Sequence, residues 1–138
     1  MIPAFRRLLR CRSGATAVEF AIICLPLLLL SLGIVEFGRA FFVRSDLSYA
    51  ADVAARKVLI GQISPDSSDS EVLAKMESAV REAFDGGDPD LLEVSVAKET
   101  VDGMEFRVLS LRYPFTFLVP GLSDSPIALG LTRSIPIG

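Results

Sequence analysis

Between residues 15 and 35 the chain reads ATAVEFAIICLPLLLLSLGIV, with Thr16, Glu19 and Ser31 as its clearly polar side chains. As a helix these residues would reach about 31 Å, close to the hydrocarbon thickness of a bilayer. A charge held inside such a run is costly, so Glu19 calls for an explanation. Arg6, Arg7, Arg10 and Arg12 precede the run with no acid among them, which gives residues 1–14 a net charge of +4. By the positive-inside rule that flank keeps the N-terminus in the cytoplasm and sends the remainder across the membrane. A secretory signal peptide would need a small-residue cleavage site after the apolar run, and Ser31-Leu32-Gly33 followed by Glu36 and Phe37 is a poor match.

The helical pattern continues past Val35. Phe37, Ala40, Phe41, Leu47, Ala51, Ala54 and Val58 recur at spacings of three or four, with Arg39, Arg44, Asp46, Asp52 and Arg56 between them. No proline intervenes between Pro26 and Pro65, and Gly61 suits a helix C-cap. One helix over residues 15–60 is therefore expected, suited to lipid over 15–35 and amphipathic over 36–60. The small side chains Ala50, Ala51, Ala54 and Ala55 permit close approach of another element, taken here to be the chain's own distal part. Pro26 removes a backbone donor and crowds the carbonyl of Ile22, which predicts a kink, although membrane helices also tolerate proline.

Residues 61–138 predict a small α+β unit. Ser68 with Glu71 forms a capping-box pattern, and Val72, Leu73, Met76, Ala79, Val80, Ala83 and Phe84 mark one face of a helix that ends by Gly86-Gly87. Leu92, Val94 and Val96 alternate with polar or small residues, and a second alternating run covers 104–113. Asp102-Gly103 between them is a tight-turn signal, so the two runs form an antiparallel hairpin. Residues 127–135 offer a third strand with imperfect alternation. Residues 115–119, between Pro114 and Pro120, suit either a short helix or a continuing strand. Such a small unit has a thin core and is expected to lean on the outer end of the long helix.

Composition narrows the function. Beyond residue 60 there are six Lys/Arg against thirteen Asp/Glu, a net −7, which argues against nucleic acid as a partner. The chain has no histidine, the usual neutral-pH general base and the commonest metal ligand. Its two cysteines, Cys11 and Cys24, lie in the leader and the apolar run, so the distal unit has no disulfide framework. Asp85, Asp88 and Asp90 in FDGGDPD lack the spacing of an EF-hand, and turn chemistry accounts for them. No enzyme, cofactor or metal is expected.

The stretch GATAVEFAIICLPLLLLSLGIVEFGR, behind its arginines, resembles type IV prepilins and more closely the TadE-like pseudopilins of the tight-adherence (Tad, or Flp) pilus. Those proteins share a basic leader that ends in glycine, a peptidase cut after it, and a glutamate at the fifth residue beyond the cut. The resemblance implies that Gly14 ends the leader, that Ala15 becomes the new N-terminus and that Glu19 occupies the fifth position. Phe20 stands where the main Tad pilins usually carry tyrosine. Pro26 inside the run, and Glu36-Phe37-Gly38-Arg39 at its end, suit TadE-type members better than the very short main pilins.

A type IV pilin-like fold is implied: a 1–14 cytoplasmic leader, a 15–35 transmembrane half-helix, its 36–60 continuation and a 61–138 extracytoplasmic domain. The implied partners are a prepilin peptidase, other pilin-like subunits, Tad inner-membrane assembly proteins and membrane lipid. The implied role is a minor pilin-like subunit in pilus biogenesis, adherence or secretion, resident in the inner membrane and open to incorporation into a pilus. In the family the Glu19 carboxylate is thought to meet the N-terminus of a neighbouring subunit. Read without the family, Glu19 snorkels to the headgroups, and the helix is a permanent anchor for an extracytoplasmic binding module.

Overall fold

The computed structural model describes residues 12–64 (backbone only at 12 and 13), 67–119, 123 and 125–137. The leader arginines Arg6, Arg7 and Arg10 lie outside the described residues. Helix α1 runs Arg12–Leu59 without interruption. It begins three residues earlier than the apolar pattern suggests, because hydrogen bonding continues through polar residues to which hydrophobic periodicity is blind. The chain divides into two compact units between Phe37 and Gly38.

In the first unit α1 presents apolar side chains to its surroundings throughout, among them Ile23, Leu28 and Ile34. It is long and apolar enough to cross a membrane, and none of its most apolar window is buried. Cys24 is a half-buried free thiol.

The second unit adds helix α2 (Asp69–Ala83), a 3₁₀ turn (Pro89–Leu91) and strands β1 (Glu93–Val101), β2 (Met104–Phe115) and β3 (Ile127–Pro136). The strands form one antiparallel sheet in the order β1-β2-β3. The α+β class and the count of one distal helix and three antiparallel strands agree with the pattern of the sequence.

The local signals explain the element ends. Gly61 closes α1 with φ of +76°, a backbone state that glycine adopts without steric cost, and its N–H donates to Val58 O at 3.0 Å. Ser68 caps α2 by accepting from the Glu71 N–H at 3.4 Å. Val101 pairs with Met104 across a two-residue turn in which Asp102 and Gly103 have φ of 52° and 81°, the pair of positive angles that a type I′ hairpin needs.

Two segments depart from expectation. β2 extends through Pro114 to Phe115, because β1 begins opposite Arg112 and leaves β3 as the partner at Pro114, so the missing N–H interrupts no ladder on the other side. Residues 116–119 belong to neither helix nor strand. The 3₁₀ turn is tied to α2 by Arg81, whose guanidinium donates to the carbonyls of Pro89 and, at 3.1 Å, Leu92.

The core lies between the sheet and the two helices. β2 alternates strictly, turning Arg107, Leu109, Leu111, Tyr113 and Phe115 inward. Against them pack Val72, Met76, Ala79 and Val80 of α2 and Val43, Leu47, Ala50, Ala51, Ala54 and Val58 of α1. Ala50, Ala51 and Ala54 are completely buried and Ala55 is partly buried, so the small-residue stripe serves the chain's own distal core. The buried Arg107 is held at 2.8 Å by Asp69 in the first turn of α2, and Arg133 of β3 pairs with Asp52 of α1.

Leu47 has no exposed surface. Leu47→Ala should cost about 2–5 kcal/mol of distal-unit stability, read as an earlier urea midpoint of the full chain in detergent micelles. Gly87 fails for the opposite reason: a Cβ there would lie 2.1 Å from the Tyr113 hydroxyl, which accepts the Asp88 N–H at 3.1 Å. Gly87→Ala should cost about 1–3 kcal/mol and weaken the near-ultraviolet signal of Tyr113.

Candidate functional site

The sequence-predicted site is a linear stretch at the start of α1. Gly14 and Ala15 occupy the first helical turns, and the bond between them lies inside the helix. Glu19 follows Ala15 by four residues, which puts the two on one helix face about 6 Å apart along the axis. Both are exposed, as is Phe20. Helix geometry thus brings together Ala15 and Glu19, while Phe20 projects about 100° away from Glu19 around the axis. The backbone of Arg12 opens the helix two residues before Gly14.

Glu19 introduces the exposed apolar surface that the next turns present. Within that surface the Ser31 hydroxyl donates to Leu27 O at 2.8 Å, four residues back, which satisfies a group that lipid could not. Pro26 is accommodated within the continuous helix. Its missing N–H still deprives the Ile22 carbonyl of its usual partner, so the helix lacks one backbone hydrogen bond there.

Composition alone did not reveal two buried charges. Glu36, at the end of the apolar run, is only 2% exposed, and Arg107 is 3% exposed on the inner face of β2. Strict alternation in β2 was the available signal for Arg107. For Glu36 the signal was its place in a motif, not its chemistry.

In the distal unit the FDGGDPD loop is engaged in turn formation. Asp88 accepts from the Asp90 N–H at 3.0 Å and caps the 3₁₀ turn. Among the described residues no group of three or more His, Cys, Asp or Glu is placed to hold a metal. One Asp46 oxygen is buried without a hydrogen-bond partner among the described residues, close to where a Cβ on Gly86 would stand. A shallow cleft of about 390 Å³ opens beside that loop, lined by Arg39, Tyr113, Phe115 and Pro126 among others.

The feature with functional content is therefore a lipid-compatible helix with a glycine, a small residue and a carboxylate at fixed spacing near its start. No curated protein and no solved structure matches the chain. Residues 14–56 match the family model described as TadE-like protein.

Proposed function

We propose that this protein is a minor pilin-like subunit, or pseudopilin, of a Tad-type pilus-assembly and secretion system, and that a prepilin peptidase removes residues 1–14. The observation that carries the proposal is the family match beginning at Gly14, with Glu19 five residues beyond it at the start of a membrane-length helix. The arginine-rich leader orients the precursor with its N-terminus in the cytoplasm, so the Gly14–Ala15 bond faces a peptidase working at that surface.

The helix explains why a glycine suits the cut. A peptidase must open the backbone at the scissile bond, and glycine in a helix is less stable than alanine by roughly 0.5–1 kcal/mol. Opening at Gly14 is correspondingly easier, and no side chain obstructs the approach. After the cut the helix begins at Ala15, whose new ammonium joins the unsatisfied N–H groups of the first turn. Positive charge then concentrates where the Glu19 carboxylate lies one turn away, and that carboxylate is free to pair with the N-terminus of an adjacent subunit. Pairing offsets part of the cost of holding either charge in low dielectric. The protein is not an enzyme in this reading and takes no cofactor. It acts through other pilin-like subunits and the inner-membrane assembly proteins, in pilus biogenesis, adherence or secretion.

Intact-mass analysis of the protein from cells with and without the peptidase tests the cut. The mass should fall by residues 1–14 only where the peptidase is present, and Gly14→Leu should abolish the change. Full-length mass in both backgrounds overturns the reading. Glu19→Leu should leave cleavage intact and lower pilus assembly at least tenfold, about 1.4 kcal/mol in the assembly equilibrium. Undiminished assembly would instead favour a permanently anchored extracytoplasmic binding module.

A further inference from the structure

We infer that the distal unit docks on the lipid surface through the end at which α1 enters it, with Leu118 as a membrane contact separate from the anchor helix. The inference rests on the membrane-anchor reading of α1. Two segments of the distal unit carry it.

Along α1, the exposed side chains from Phe20 to Phe42 carry no formal charge. Glu36 is buried, Arg39 is half-buried, and Arg44 is the next exposed charge. The lipid-compatible surface therefore outlasts residue 35 by about eight residues, or roughly 12 Å. That length carries it from the hydrocarbon into the headgroup layer. Phe41 and Phe42, both more than 60% exposed, stand at this level, where aromatic side chains favour the interface.

The second segment follows β2. The Arg39 guanidinium sits 5.1 Å over the Phe115 ring, and Phe115 meets Phe117 edge-on at 5.4 Å. These contacts bring the 116–119 segment to the same end of the unit as Phe41 and Phe42. There Leu118 is 71% exposed, the most exposed large apolar side chain among the described residues of the distal unit. An apolar tip beside an arginine and aromatic rings has the composition of an interfacial membrane contact, with the tip in the acyl boundary and the cation among phosphates. A lipid surface is the occupant that continuity with the membrane-length helix selects. Met104, also exposed, lies at the opposite end of β2, about 36 Å away, and serves as the internal control.

The chain contains no tryptophan, so a single introduced one reports without background. Full-length Leu118→Trp, Met104→Trp and Leu28→Trp proteins would be reconstituted in phosphatidylcholine–phosphatidylglycerol vesicles with brominated acyl chains. Leu118→Trp should be blue-shifted and lose most of its emission to bromine, Met104→Trp should keep its own, and Leu28→Trp should be quenched. Quenching of Leu118→Trp no greater than that of Met104→Trp overturns the docking, whether a protein partner or water covers the patch. Unquenched Leu28→Trp would overturn the anchor reading with it.

Discussion

A single helix has to satisfy two solvents, and the distal fold depends on how it does so. The first half of α1 offers apolar side chains on every face, as lipid requires. Its second half keeps one face apolar and surrenders it to the sheet and α2. Leu47, Ala50, Ala51, Ala54 and Val58 supply the third wall of a core that one short helix and three strands would leave open. Alanine at three of these positions matters more than its small buried area suggests. It lets the helix backbone approach closely enough for Leu109 and Leu111 of β2 to be fully covered.

Features fixed by a few adjacent residues were legible before any fold was known. The Asp102-Gly103 turn, the Ser68 cap and the Gly61 terminus each rest on backbone states that their residue types favour, so sequence and structure agree on them. Pro114 was misleading because proline usually ends a strand. Whether it does depends on where the neighbouring strand begins, and that is a property of the register. The 3₁₀ turn at Pro89–Leu91 depends on the reach of Arg81 from another element and left no local mark. The burial of Arg107 and Glu36 escaped for the same reason: burial belongs to the surroundings of a residue. In the candidate site the spacing of Gly14, Ala15 and Glu19 was legible because it is a linear pattern on one helix. The places of Arg6, Arg7 and Arg10 lie outside the described residues.

The charges are partitioned in the same spirit as the solvents. Cations precede the membrane-length segment and acids dominate beyond it. The distal ion pairs, Arg133 with Asp52, Lys57 with Glu82 and Lys98 with Glu105, lie on partly exposed surface. Pairs of this kind contribute little each, typically under about 1 kcal/mol. Packing therefore carries the stability of the distal unit, and its acidic excess remains available to govern solubility and encounter.

The pairing of Arg133 with Asp52 joins positions 81 residues apart. Its two ends are made at very different moments. When the ribosome has finished the helix, the inner wall of the core already exists, but its last strand has yet to be synthesised. The unit can close only when β3 arrives to pair with β2, so synthesis and folding are coupled in time. Until then the open faces of α2 and the β1–β2 hairpin wait beside a tethered helix. That tether confines the search for the final contacts to a small volume and shortens a step that distant pairing would otherwise make slow.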